Sequence, residues 1–274
     1  MFKHKIIGLI LCAVLLLPAL WGCSDGGNKG QLRVGMECDY APFNWTQSDK
    51  SNGAVAIDND STGFAAGYDV EIAKKIADSL KMELVIVKTD WDGLIPALSA
   101  GVIDIIIAGM SPTDERKQAI DFSDYYWESD LVIVVMADGS YANASSLADF
   151  AGAKITGQLN TTHYDMVDQI VGVDKQGALP TFPTMIASLK SGYIDGYVSE
   201  RPGAMAAVQA HPDLTFAAFD ADKGFSYDVN EANVSIGISK DSDLLKKIND
   251  ALAKINKEER TKLMDSAIAN SAEE

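Results

Sequence analysis

The sequence predicts an α/β protein built as two similar lobes, and two observations carry that expectation. Segments of strand and helix character alternate after an apolar leader, a rhythm that gives mostly parallel sheets with helices on both faces. A ten-residue pattern also recurs. Ile-Pro-Ala-Leu-Ser-Ala-Gly-Val-Ile-Asp at residues 95–104 returns, offset by 91, as Ile-Ala-Ser-Leu-Lys-Ser-Gly-Tyr-Ile-Asp at 186–195.

Residues 32–36 read as a strand. Over 70–80, Val70, Ile72, Ala73, Ile76, Ala77 and Leu80 recur at helical spacing, with Asp69 standing as a cap. Residues 84–87 make a second strand, and 94–100 a helix that Gly101 can end. The almost wholly apolar 103–108 suits a strand buried on both faces. Both copies of the repeat thus read as helix, glycine stop and a strand entered through Ile-Asp. A common supersecondary unit can recur by chance, but two similar lobes explain the match with one cause. Ligands of open α/β sheets sit beyond the carboxyl ends of strands. Those ends are Ala108-Gly109-Met110-Ser111 and Ser199-Glu200-Arg201, two facing half-sites.

The leader reads as an export signal. Lys3, His4 and Lys5 precede an apolar run over 6–20, shorter than the roughly 20 residues of a spanning helix. It ends in Leu20-Trp21-Gly22-Cys23, which resembles a bacterial lipoprotein signal: residues 1–22 leave and Cys23 takes lipid. Ordinary cleavage and secretion is the alternative. Residues 23–31 are polar and glycine-rich at their start, as a lipidated tether requires.

Net charge is −16, and −18 once Lys3 and Lys5 are removed. Such a surface repels phosphate backbones, so no nucleic-acid partner is expected. With Cys12 in the signal and Cys23 lipidated, Cys38 is alone, which excludes a disulfide framework and a zinc cluster. The histidines His4, His163 and His211 are too scattered for a metal site, and no cofactor is expected.

The candidate chemistry lies after the strand ends. In Ser111-Pro112-Thr113-Asp114-Glu115-Arg116, Ser111 suits an N-cap and Pro112 a first helical position. Free N–H groups there attract an anion, and Arg116 can add a bidentate grip on a carboxylate. The same start would also serve a surface helix with a solvated arginine. A second start, Leu159-Asn160-Thr161-Thr162-His163, can be capped by Thr161 or Thr162. Glu200 offers an anion for an ammonium. A cationic and an acidic corner in two lobes make a clamp for a zwitterion.

Further marks are Arg33-Val-Gly-Met-Glu-Cys-Asp-Tyr-Ala-Pro-Phe43, Gly67-Tyr-Asp-Val-Glu-Ile-Ala73, Trp91-Asp-Gly-Leu-Ile-Pro96, the stretch from Asp104 to Arg116, and Ile120-Asp-Phe-Ser-Asp-Tyr-Tyr126. Together, over about residues 32–269, they resemble the bacterial solute-binding proteins for polar amino acids that serve ABC importers. The resemblance implies a two-lobed periplasmic-binding-protein-like fold, each lobe a mixed sheet flanked by helices, joined by two crossing strands. Residues 32–128 plus 233–274 would form lobe 1 and 129–232 lobe 2, with hinges near 129–132 and 230–235.

The resemblance also implies that a ligand's carboxylate meets Arg116, with backbone help from Ser111 and Thr162. Its ammonium would meet the Gly109 carbonyl, the Ser111 hydroxyl and Glu200, where the family more often has aspartate. Tyr40 and Trp91 match positions that sandwich the ligand, and Gln158 lies near its side chain. Glu37 matches a position often acidic in binders of cationic side chains, so lysine or arginine is the first expectation and glutamine or another polar amino acid the second. Trp45, Trp127 and Glu128 read as core or rim, Cys38 as a small buried residue, and His163 as a surface residue. No catalysis is expected: the residues supply no Ser-His-Asp set and no base paired with Glu200. The competing readings are a small-acid dehydratase on the same scaffold and a ligand sensor docking on a receptor. Expected partners are a free amino acid, an importer permease and, through Cys23, the outer face of the cell membrane. The chain is expected to be a monomer.

Overall fold

The computed structural model describes residues 30–128, 130–220, 222–228 and 233–271. The expected signal and Cys23 lie outside them, as do Ser129 and residues 230–232 of the two expected hinges. The first strand, β1 (Gln31–Met36), turns Leu32, Val34 and Met36 fully into the core, the two-residue period of extended chain. It starts at Gln31, so the last residue assigned to the tether belongs to the fold.

In lobe 1, β1 pairs in parallel with β6 (Glu83–Lys88) and β7 (Ile105–Ile106). Strand β14 (Val234–Ile238) then pairs antiparallel with β7 and with β8 (Asp121–Trp127), giving the order β6-β1-β7-β14-β8. Lobe 2 repeats this plan. Its β10 (Lys154–Thr156) pairs in parallel with β11 (Asp174–Lys175) and β12 (Gly196–Glu200), and β9 (Leu131–Met136) antiparallel with β12 and β13 (Leu214–Ala217). The order is β11-β10-β12-β9-β13. Both sheets are therefore mixed rather than mostly parallel, because each takes in one strand, β14 or β9, on the chain's passage between lobes.

A small antiparallel sheet, β2 (Asp39–Tyr40), β3 (Asn44–Gln47), β5 (Phe64–Ala66) and β4 (Val55–Ala56), follows β1 and carries Tyr40 to the cleft. Helix α1 (Tyr68–Leu80) buries Val70, Ile72, Ala73, Ile76 and Ala77. Its N-cap is Gly67, not Asp69. Gly67 sits at φ 124°, where an added Cβ would lie 2.3 Å from the Phe43 carbonyl. Asp69 instead points inward, accepting from Asn44 Nδ2 and the Tyr126 hydroxyl, each at 2.7 Å.

The repeat is structural down to its hydrogen bonds. Helices α2 (Leu94–Ser99) and α5 (Phe182–Lys190) end at Gly101 and Gly192, with φ of 69° and 74°. Val102 N bonds Ala97 O at 2.9 Å, and Tyr193 N bonds Ser188 O at 3.0 Å, the same closing turn. Asp104 accepts from the Arg33 amide and Asp195 from the Lys154 amide, both at 2.8 Å, locking β1 and β10 to the following crossover. The predicted strand over 103–108 is buried almost throughout, yet only Ile105 and Ile106 pair as a strand.

The remaining helices are α3 (Asp114–Ala119), α4 (Thr162–Met166), α6 (Arg201–Ala210), α7 (Leu244–Leu252) and α8 (Lys257–Asn270). Helix α8 packs on α1 of lobe 1 and on α6 of lobe 2. Among the described residues, no helix is long and apolar enough to cross a membrane.

Candidate functional site

The ends of β7, β10 and β12 converge where the lobes meet. Tyr40, Trp91, Gly109, Ser111, Arg116, Gln158, Thr161, Thr162 and Glu200 line one closed cleft there, together with Ala108 and His163. Glu37, the remaining expected residue, lies just behind it on Gln158. The side chains fill the cleft closely, leaving about 10 Å³ at its centre.

Arg116 is held differently from the expectation. Thr113, not Ser111, is the N-cap of α3, and its side chain accepts from Arg116 N at 3.3 Å. Ser111 and Pro112 form an extended approach that sends the Ser111 carbonyl toward the arginine. Arg116 Nη1 donates to that carbonyl at 2.8 Å and Nη2 to the Asn160 carbonyl of lobe 2 at 3.0 Å. The guanidinium lies 5.1 Å from the centre of the Trp91 ring, a favourable cation–π position. It is partly buried, and burial lowers its pKa to about 10, still cationic at neutral pH. Among the described residues it forms no ion pair.

Asn160 is a bridge that the sequence reading passed over. It sits at φ 55°, a region asparagine tolerates. Its carbonyl also accepts from Trp91 Nε1 at 3.2 Å, and its Nδ2 donates to Asp92 at 2.8 Å. Next to it, Thr161 is the N-cap residue of α4, but its hydroxyl donates to Gln158 O at 2.7 Å rather than capping the helix.

The acidic corner is more elaborate than a lone glutamate. Glu200 is buried, its Oε2 accepts from the Tyr40 hydroxyl, and the same oxygen lies 2.9 Å from His163 Nε2. His163 is 5% exposed, which corrects its assignment to the surface and places beside Glu200 the basic side chain it was expected to lack. The reason is Gly157: an added Cβ would lie 2.6 Å from Tyr164 N, so α4 starts directly against the strand end and turns His163 inward. Burial opposes the charge on Glu200, but His163 and Tyr40 outweigh it and hold the carboxyl below its ordinary range.

Tyr40 does not offer a free ring face. It stacks on Phe182 at 4.0 Å between centroids and on Phe43 at 5.0 Å, and sends its hydroxyl to Glu200. Behind it, Gly109 N donates to the Tyr126 hydroxyl at 3.2 Å, and Tyr126 in turn donates to Asp69. Burial pushes Asp69 up to about 7. This chain fixes the backbone of Gly109, itself at φ 62°.

Glu37, 5% exposed, accepts both of its contacts from Gln158 Nε2, at 3.0 and 3.1 Å. Burial raises its pKa to about 7; the Gln158 hydrogen bond opposes this, while Asp39 and Asp90 add to it. Trp45 packs in the core, and Glu128 lies away from the cleft, 3.5 Å from Lys257. Cys38 is buried and free.

Residues 32–268 match the model of the bacterial extracellular solute-binding proteins, family 3, and the chain belongs to that family. It is 32% identical over 199 residues, 72% of this chain and 71% of the relative, to a probable histidine-binding protein of Campylobacter jejuni. It is 30% identical over 263 residues to the L-cystine-binding protein TcyJ of Escherichia coli, covering 93% of this chain and 91% of TcyJ. Its fold matches the amino acid ABC transporter substrate-binding protein AbpA of Streptococcus pneumoniae bound to L-arginine. The TM-score is 0.74 at 27% identity, with 89% of this chain and 97% of AbpA covered.

Proposed function

We propose that the protein receives a free L-amino acid between its lobes and delivers it to the permease of an ABC importer. One observation carries this reading. Arg116 is a partly buried cation held by two carbonyls and an aromatic ring, without an ion pair among the described residues, across the cleft from buried Glu200. Buried charges require partners; an α-carboxylate supplies the one that Arg116 lacks, and an α-ammonium adds a charged partner to Glu200 beside His163 and Tyr40. Gly109 O and the Ser111 hydroxyl complete the ammonium corner, while Ser111 and Thr162 N–H groups assist Arg116.

The side chain of the cargo then runs toward Glu37 and Gln158. A cationic side chain, arginine or lysine, suits Glu37, and glutamine is the second choice. Relatives named for histidine and cystine and a neighbour holding L-arginine support a polar amino acid. A dehydratase would need Glu200 as a protonated acid; His163 and Tyr40 favour its ionised form, which suits holding an ammonium. The lobes are taken as residues 32–128 plus 233–274, and 129–232. The protein is exported, acts as a monomer and is held at the outer face of the membrane by lipid on Cys23.

A thermal-shift screen of the twenty amino acids tests the reading, since a ligand that binds the folded state raises its apparent stability. Arginine and lysine are expected to give the largest shifts. No shift with any amino acid would reject it.

A further inference from the structure

His163 is the group in the cleft that the zwitterion clamp leaves without a role. Its ring is buried at the start of α4, Nε2 is 2.9 Å from Glu200 Oε2, and Nδ1 has no hydrogen-bond partner among the described residues. Glu200 faces it from the end of β12, and Tyr40 from β2 reaches the same oxygen. Arg116 of α3 lines the same cleft, Asp165 of α4 lies beside Arg116, and Asp69 of α1 acts on Tyr40 from behind. Helix α5 contributes only the ring of Phe182, edge-on at 6.0 Å. Among the described residues, His163 is thus the basic group in contact with a buried carboxylate.

Resting on the reading of Glu200 as the ammonium anchor, we infer that His163 is the internal counter-ion of the cleft. Protonated, it neutralises Glu200; it gives up its proton when the ammonium of an amino acid takes over that charge. With Arg116 matched by the ligand's carboxylate, an imidazolium and an ammonium against one carboxylate leave a surplus positive charge away from water. Such a charge is costly, and shedding a proton removes it. The ring does not have to leave. Neutral, it still donates Nε2–H to Oε2, while Tyr40 and His163 share that oxygen and a carboxylate has a second one for the ammonium.

Histidine is the side chain whose charge ordinarily changes between about pH 5 and pH 8. Binding therefore releases about one proton in the acidic part of that range. Affinity rises there by up to roughly tenfold per pH unit and levels off once the imidazole is already neutral.

Calorimetry with L-glutamine, repeated in buffers of different ionisation enthalpy, counts the protons released. Glutamine is the probe because its neutral side chain makes no ion pair with Glu37, and any proton that Glu37 takes up on closure is common to wild type and variant. Near pH 5.5 the wild type should release about one proton more than His163→Gln, whose amide keeps a donor for Glu200 but carries no proton to lose. The variant's affinity should lack the corresponding rise with pH. Should that variant not fold, NMR of the wild type decides: the His163 imidazole should titrate at lower pH with glutamine bound than without. Unchanged proton release in the variant, or an unmoved imidazole titration, overturns the inference and leaves the clamp standing. If glutamine does not bind, the same count is made with an amino acid that does; if none of the twenty binds the wild type, the amino-acid reading itself falls, and the inference with it.

Discussion

Glu37 and Gln158 hold the same place in the two lobes and meet across the cleft. Each is the fourth residue after a strand amide gripped by a repeat aspartate, Arg33 by Asp104 and Lys154 by Asp195. Gln158 Nε2 lies 3.0 and 3.1 Å from the two Glu37 oxygens. One mutual contact thus closes the cleft at its side-chain end and leaves a buried carboxyl poised near neutrality.

Glu37→Gln is expected to change selectivity. A desolvated carboxylate gives a distal ammonium or guanidinium a strong partner, whereas a neutral side chain needs only a hydrogen bond, which glutamine also offers. Calorimetry should show arginine and lysine losing roughly tenfold or more in affinity, about 1.4 kcal/mol, with glutamine nearly unchanged. L-glutamate should bind the wild type worst. Equal losses for lysine and glutamine would reject the cationic assignment.

Arg116→Ala should weaken every amino acid regardless of side chain, because the carboxylate is common to all. Truncating one member of a desolvated charge pair costs about 2–5 kcal/mol, so a loss of roughly 30-fold or more is expected. A loss under about threefold would remove the carboxylate clamp.

The placing of Arg116 and Glu200 at the cleft was legible in the sequence because its signals are local: a strand end, a glycine stop, a helix start with an arginine in it. The two-lobed plan was legible through the repeat, since Gly101 and Gly192 must both reach positive φ and Asp104 and Asp195 both grip a neighbouring strand. His163 was not legible. Its burial follows from the absence of a side chain at Gly157, a tertiary approach that leaves no mark beside the histidine itself. Asp69 misled for a similar reason. An acid beside a helix start reads as a cap, and only the fold brings Asn44 and Tyr126 to it. Asn160 acts mainly through its carbonyl, which any residue would supply; the favourable asparagine feature is its tolerance of φ 55°.

Closure should depend on Asn160. Lobe 1 grips it through Trp91, Asp92 and Arg116, contacts that exist only when the lobes meet. Asn160→Gly keeps the backbone conformation and deletes the hydrogen bond to Asp92. An exposed hydrogen bond contributes about 0.5–1 kcal/mol, so affinity should fall by a factor of about 2–5. Small-angle scattering should give a smaller radius of gyration with ligand than without. A saturating ligand that leaves the scattering profile unchanged would count against hinged closure.

The anchor has its own test. If lipid on Cys23 is what holds the protein at the membrane, as proposed, Cys23→Ala should free the mature chain from the membrane fraction. Membrane association that persists after cleavage of the signal would refute lipidation.

The last expectation concerns stability and pH. The Glu37 carboxyl is raised from 4.5 to about 7, chiefly by burial. A carboxyl raised in the folded state keeps its proton longer there than in the unfolded chain, so the folded state binds more protons between those two values. Stability is then fully present below about pH 4.5 and is lost as pH rises through about 7. At 1.36 kcal/mol per pKa unit, the loss traceable to Glu37 is on the order of 3 kcal/mol at most. Asp69 acts in the same direction, raised from 3.8 to about 7 by burial, while the lowered Glu200 works oppositely. Both remain in Glu37→Gln and cancel when the variant is compared with the wild type. Thermal melts with saturating L-glutamine, which holds the lobes closed over Glu37 in both proteins, from about pH 4.5 to about pH 7.5, should therefore show the variant gaining on the wild type as pH rises. Parallel curves would mean that the Glu37 carboxyl stays hydrated in solution, and the desolvated partner proposed for a cationic side chain would be lost with it.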